Sequence, residues 1–171
     1  MSQRYPTWLI YGDKKLGKTT LASGAPGACV IDGEGGAGGS ESGAKPTLIK
    51  VNDKTDRTMP KSWVEFVAML TKIEKDGALP NKGRTLIIDG AGRLINELGI
   101  EHVLATDTKR DGTPFSATSD EFCEPVKRLL GYVRIVLRKL ENINEFASII
   151  IVAHEGVVTE KNPELPGDKN Q

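Results

Sequence analysis

Eight residues near the start of the chain combine two glycines, a lysine and a threonine at fixed spacing. Gly12–Thr19 reads Gly-Asp-Lys-Lys-Leu-Gly-Lys-Thr and matches the pattern G-x-x-x-x-G-K-[ST]. Glycines let the backbone wrap around a phosphate, and N–H groups at a helix start attract the anion. Lys18 is a cation for β- and γ-phosphates, and the Thr19 hydroxyl is a ligand for Mg²⁺. The predicted phosphate-binding residues are Gly12, Asp13, Lys14, Lys15, Leu16, Gly17, Lys18, Thr19 and Thr20.

A carboxylate ends the apolar run Leu86-Ile87-Ile88. Asp89 at the carboxyl end of a neighbouring strand would face the phosphates and hold Mg²⁺ through water. We therefore predict Thr19 and Asp89 as the metal residues. The structural alternative for Asp89 is the first position of an Asp-Gly turn.

Two further polar residues end apolar segments and are candidates for catalysis. Glu34 follows the second apolar run, where a carboxylate can polarise the water that attacks a γ-phosphate. Asp32 is the alternative for that role, and Glu34 could instead be a solvated loop residue. His154 ends the last apolar run, where a polar side chain can sense the γ-phosphate. The alternative is a structural histidine that is hydrogen-bonded only to backbone groups. The predicted catalytic residues are Lys18, Glu34 and His154.

These side chains need a sheet that brings strand ends together. Five apolar runs without polar alternation predict buried strands: Trp8–Tyr11, Ala28–Ile31, Thr47–Val51, Thr85–Ile88 and Ala147–Ala153. Helical spacing separates them at Thr19–Ser23, Ser62–Lys75, Arg93–Ala105 and Glu121–Glu141. A capping box of Ser62 and Glu65 opens the second helix. The pattern predicts an α/β fold with a mostly parallel central sheet and helices on both faces.

Charge and length exclude several classes of protein. The 171 residues carry 23 basic and 23 acidic side chains, so any basic site must be a local patch. No apolar run approaches the ~20 residues of a membrane helix, and the N-terminus lacks a signal-peptide core. Cys29 and Cys123 do not form a disulfide framework. We expect no membrane partner, and a cytoplasmic protein (in the host cytoplasm if it is phage-encoded).

The order of these motifs resembles the RecA-type ATPase core of P-loop NTPases. The segments Cys29–Gly36 and Val152–Glu155 are most similar to the RecA-like phage ATPases of the single-strand-annealing (Sak) group, also described as phage nucleotide-binding AAA-type proteins. The resemblance covers about Pro6 to Val158. It implies one ATPase domain over residues 1–171 that uses ATP and Mg²⁺. In the family the chain continues into further strands, so we expect this one to lack C-terminal core elements.

The resemblance also implies a function in phage DNA recombination or single-strand annealing. Glu34 would be the catalytic carboxylate, and His154 would replace the glutamine usual in RecA itself. Single-stranded DNA would be the partner, together with further copies of the chain in a ring or filament and a single-strand DNA-binding protein. The candidate DNA-binding loops are 106–119 and 157–171, with Lys109 and Arg110 as phosphate contacts in the first.

Three other functions share the phosphate motif. An NTP-gated assembly module needs no DNA, and a small-molecule or nucleotide kinase needs an acceptor pocket and usually an arginine-rich lid. Arg128, Arg134 and Arg138 lie on a regular predicted helix, which counts against the kinase. A GTPase is disfavoured because Asp89-Gly90-Ala91-Gly92 matches D-x-x-G without a base-reading Asn-Lys-x-Asp motif.

Overall fold

The computed structural model describes residues 4–37, 45–115 and 123–154. Five strands form one sheet: β1 (Thr7–Gly12), β2 (Ala28–Asp32), β3 (Thr47–Leu48), β4 (Thr85–Asp89) and β5 (Ser148–His154). Their order is β1-β5-β4-β2-β3, and all four pairings are parallel. The predicted α/β fold with a parallel central sheet is confirmed.

Helices cover both faces of the sheet. They are α1 (Lys18–Ser23), α2 (Trp63–Asp76), α3 (Leu98–Thr106) and α4 (Cys123–Ile143). A π-helical turn, Arg93–Glu97, leads into α3, and a short 3₁₀ turn, Pro80–Lys82, precedes β4. In the described ranges, no helix has the length and apolarity required to cross a membrane.

In the described residues, two of the three hydrophobic clusters cover the sheet, one on each face. Leu86 and Ile88 of β4 point to the larger cluster, which α2 and α4 cover with residues such as Phe66 and Leu140. Ile87 points to the opposite, smaller cluster, which includes Ala22 of α1. Because side chains alternate along a strand, an apolar run such as Leu86-Ile87-Ile88 supplies both layers at once.

The first apolar run forms a strand, as predicted, but the prediction that this strand is buried is wrong. In the described part of the chain, β1 pairs with β5 alone and lies at an edge of the sheet. Trp8, Leu9 and Tyr11 are 62%, 68% and 59% exposed, and Ile10 packs against the smaller core. By contrast, β2 and β4 have neighbours on both sides and are buried throughout.

The start of α2 departs from the predicted capping box in one detail. The Ser62 hydroxyl accepts the Glu65 N–H at 3.2 Å, as expected. The Glu65 carboxylate accepts the N–H of Lys61 at 2.8 Å, and Arg57 donates to its two oxygens at 2.8 and 2.5 Å. The Arg57 guanidinium and the Lys61 N–H lower the pKa of Glu65 to about 2.

Candidate nucleotide-binding and catalytic site

The predicted nucleotide-binding and catalytic residues lie at the carboxyl ends of the parallel strands. Strands β1, β5, β4 and β2 are consecutive neighbours, and their carboxyl ends lie on the same side of the sheet. In the strand register, Gly12 is level with His154, and Asp32 is level with Asp89. Parallel topology therefore brings together residues that are far apart in sequence.

The phosphate loop, Gly12–Thr19, joins β1 to α1. Gly12 and Gly17 have φ angles of 149° and 75°, and Lys15 has a φ of 66°. Left-handed residues in such a turn aim successive N–H groups into a concavity that binds anions. The glycines adopt these angles without the steric cost that a side chain adds. Residues 13–17 are exposed, so the loop is open to a ligand.

Lys18 is the buried cation of this loop. Its side chain is 7% exposed, and its ammonium group donates to the carbonyl oxygen of Gly12 at 2.8 Å and to that of Asp13. These partners are neutral, so the positive charge is available to an anionic phosphate. Lys14 and Lys15 point to solvent, and Thr20 is also exposed.

The two predicted metal residues touch each other. The Thr19 hydroxyl donates to both carboxylate oxygens of Asp89, at 3.0 and 3.1 Å. Asp89 is 3% exposed, and its burial raises its pKa against the opposing effect of the Thr19 hydrogen bond. A hydroxyl beside a buried carboxylate is an oxygen donor set that suits Mg²⁺, and a bound cation favours the charged carboxylate.

Glu34 and His154 form a pair above the end of β4. The His154 Nε2 lies 2.8 Å from a carboxylate oxygen of Glu34. Strands β2 and β5 flank β4, so the pair crosses over Gly90, where a Cβ would lie 2.5 Å from the Glu34 Cγ. The Glu34 side chain is 35% exposed and can meet a water molecule.

Asp32 has a different environment from Glu34. It is 3% exposed, and one carboxylate oxygen accepts the N–H groups of Glu34 and Gly35 at 3.2 and 2.7 Å. The other oxygen accepts the Ala37 N–H at 3.3 Å. Asp32 therefore stabilises the turn that carries Glu34, and of the two carboxylates Glu34 is the one open to solvent.

A match to a protein family agrees with this geometry. The family model described as AAA domain matches residues 4–168, a range that includes the whole site. The chain belongs to this AAA domain family. It is therefore a P-loop ATPase, which binds and hydrolyses ATP. No curated protein matches the sequence.

Three residues of the AAA domain that shape its site were not predicted from sequence. Gly33 donates its N–H to the Asp89 carbonyl oxygen at 2.9 Å, and a Cβ on Gly33 would lie 2.5 Å from that oxygen. Gly90 makes room for Glu34, and Arg93 donates to the Gly33 carbonyl oxygen at 2.5 Å. The signal for both glycines was their place directly after a strand-end aspartate, whereas nothing in the sequence marked Arg93.

The predicted DNA contacts lie on a small hairpin outside the sheet. Thr108 bridges to Pro114, and the Lys109 N–H donates to the Thr113 carbonyl at 2.7 Å. Arg110 is exposed near the turn of the hairpin. The Tyr132 hydroxyl of α4 donates to the Asp107 carboxylate at 2.7 Å and anchors its base. Residues 116–119 of this loop, and the whole second loop at 157–171, lie outside the described residues.

Proposed function

We propose that this AAA domain is a Mg²⁺-dependent ATPase coupled to single-stranded DNA. The contact between Thr19 and Asp89, beside the buried Lys18 ammonium, is the observation that carries the ATPase part. It joins a phosphate loop to a strand-end carboxylate 70 residues away. A glycine-rich turn that matched the motif only by chance would not be expected to contact a carboxylate at the end of a neighbouring strand.

In this proposal the loop N–H groups and Lys18 hold the triphosphate. The Lys18 ammonium exchanges its backbone carbonyl partners for β- and γ-phosphate oxygens. Thr19 and Asp89 would hold Mg²⁺, which when bound neutralises charge on the phosphates. Glu34 orients a water molecule and accepts its proton. The water oxygen bonds to the γ-phosphorus as the bond to the β–γ bridging oxygen breaks, which yields ADP and inorganic phosphate.

His154 has two neighbours that make it a sensor in this scheme. It is level with Gly12 at the start of the phosphate loop, and it is bonded to Glu34. A γ-phosphate would compete with Glu34 for the hydrogen bond of the imidazole. His154 therefore links the state of the nucleotide to the position of the catalytic carboxylate.

Two substitutions test the ATPase assignment. Lys18→Ala should abolish binding of a fluorescent ATP analogue. Lys14→Ala removes only an exposed side chain and keeps the backbone N–H of the loop, so it should retain binding. Glu34→Gln should bind the analogue normally and lose about 100-fold or more in turnover. Retained binding by Lys18→Ala would remove the central assignment. Unchanged turnover in Glu34→Gln would transfer the role to another carboxylate such as Asp32.

The DNA part of the proposal is supported by the hairpin and by the resemblance to phage ATPases. Arg110 and Lys109 lie together on an anchored exposed hairpin, where they could contact phosphates of a single strand. Recombination or single-strand annealing in a phage would then be the process that uses ATP. Rings or filaments of this chain, aided by a single-strand DNA-binding protein, would be the working assembly.

A salt series tests the DNA part. The anisotropy of a labelled oligothymidylate should report an affinity that falls as salt rises. The double variant Lys109→Ala/Arg110→Ala should weaken binding and reduce the salt slope by about 1.4, since each phosphate contact on a single strand contributes about 0.7. Lys127→Ala, an exposed lysine on α4, is the matched control and should change neither. If DNA neither binds nor alters turnover, the DNA role is wrong and the assembly-module or kinase functions are favoured.

A further inference from the structure

The charged Arg93 side chain donates a hydrogen bond to a backbone carbonyl oxygen next to the site. It opens the π-helical turn after β4, and its Nη1 donates to the Gly33 carbonyl oxygen at 2.5 Å. Its side chain is 26% exposed, and its Nε lies 3.7 Å from a Glu97 carboxylate oxygen. Hydrogen bonds from an ionised donor are about twice as strong as neutral ones. Isolated π-helical turns are frequent at functional sites.

The residue that Arg93 holds is the one directly before Glu34. The Gly33 N–H donates to the Asp89 carbonyl at 2.9 Å, so Gly33 is fixed on both sides, by the last residue of β4 and by the π-helical turn that follows it. The next N–H, of Glu34 itself, donates to Asp32 at 3.2 Å. These bonds set the direction in which the Glu34 side chain leaves the backbone.

We infer that Arg93 is a positioning residue for Glu34. The inference depends on the proposed function, in which Glu34 orients the attacking water. Arg93 lies four residues after Asp89, so one short segment carries both the proposed metal carboxylate and the group that holds the Glu34 turn. The described hydrogen bonds of Lys18 and Thr19 do not involve Arg93. Loss of Arg93 should therefore affect turnover and leave nucleotide binding intact.

The first test separates turnover from binding. In Arg93→Ala, kcat should fall about 10- to 100-fold, since a displacement near 1 Å at a catalytic group has an effect of this order. The affinity for the ATP analogue should stay within about twofold, because the phosphate loop is untouched. Arg93→Lys keeps a charged donor and should fall between wild type and Arg93→Ala. Glu97→Gln removes the ion-pair partner, leaves the bond to Gly33, and should match wild type.

The second test asks whether Arg93 acts through Glu34. When Glu34 is already Gln, Arg93→Ala should reduce the remaining turnover no further, because both changes remove the same function. Circular dichroism and melting temperature confirm that each variant is folded. If Arg93→Ala does not fold, Arg93→Lys must show the lowered kcat at unchanged affinity.

The outcomes distinguish this inference from the proposed function. A wild-type kcat in the folded Arg93 variants would overturn the positioning role alone. The same conclusion would follow if Arg93→Ala lowered kcat by the same factor in the wild-type chain and in Glu34→Gln. A parallel loss of nucleotide affinity would overturn it as well, since Arg93 would then act on binding. Wild-type turnover in Glu34→Gln would overturn the positioning role and transfer water activation to another carboxylate such as Asp32, but it would leave the ATPase function standing. Only a wild-type chain that binds no ATP would refute the ATPase itself.

Discussion

At the scale of single residues, two glycines determine where Glu34, the proposed catalytic carboxylate, lies. Gly33 allows the end of β2 to approach the Asp89 carbonyl, which a Cβ would meet at 2.5 Å. Gly90, with a φ of 72°, leaves the space through which Glu34 reaches His154. A side chain at either position would push apart the two strand ends that form the site.

Substitution of Gly90 should therefore impair turnover more than binding. In Gly90→Ala the new Cβ would displace Glu34 from His154, and we expect kcat to fall about tenfold or more. The left-handed backbone should also cost about 1–2 kcal/mol of stability. Gly92→Ala is the matched control, because a Cβ there has no neighbour within 4 Å and the φ is −58°. It should leave kcat unchanged, and an equal loss in both variants would contradict the role of Gly90.

Local spacing was enough to select candidate residues that the structure brings together, but it predicted neither their contacts nor the supporting residues Gly33, Gly90 and Arg93. Lys18 and Thr19 belong to a short motif, and Asp89 ends an apolar run, so each is visible within a few residues. The pairing of Glu34 with His154 depends on the order of β2, β4 and β5 in the sheet. Sequence order alone does not give this neighbourhood, because crossover connections separate the strands.

At the scale of elements, β1 shows why an apolar run predicts a strand but not its place. Runs such as Trp8–Tyr11 and Thr85–Ile88 look alike in sequence, but the first forms an exposed edge and the second the buried centre. An exposed edge strand offers unpaired backbone groups to another chain. Here the edge also exposes Trp8 and Leu9.

We expect this edge to contribute to the proposed self-association. Leu9→Lys places a charge on the edge strand and should reduce the mass of the assembly across a concentration series. Light scattering after size-exclusion chromatography measures the effect. Val64→Lys is the control, since Val64 is similarly exposed, at 61%, but lies on α2. An unchanged mass for Leu9→Lys, or the same loss for Val64→Lys, would contradict a specific contribution of β1.

The start of α2 should make stability depend on pH. The pKa of Glu65 is lowered from its ordinary value of 4.5 to about 2, so folding favours the ionised carboxylate. Its contribution is complete above about pH 4.5 and is lost as the pH falls toward 2. Urea unfolding should show Glu65→Gln less stable than wild type at neutral pH, with a difference that narrows in acid. Glu141→Gln, at an exposed position on α4, should show no such trend.

At the scale of the whole molecule, the sheet is what joins the site. The predicted parallel α/β architecture is confirmed. It could be predicted because apolar strands without polar alternation are typical of parallel sheets that are covered on both faces. The apolar spacing predicted one helix over Arg93–Ala105. The structure instead has a π-helical turn at Arg93–Glu97 before α3. A single extra residue in a helical turn leaves little trace in apolar periodicity, so the position of Arg93 could not be predicted.

A nucleotide with Mg²⁺ at the proposed site would contact residues of β1, β4 and α1. Its binding should therefore raise the free energy of unfolding of the whole domain. A ligand at about 100 times its Kd adds about 2.7 kcal/mol. For a chain of this size, each kcal/mol raises the melting temperature by about 2–4 °C, so a nonhydrolysable ATP analogue with Mg²⁺ should raise it by about 5–10 °C. Glu34→Gln should show the same shift and Lys18→Ala none, because Lys18, unlike Glu34, contributes to holding the triphosphate in the proposed site. A full shift in Lys18→Ala would place the nucleotide elsewhere on the molecule.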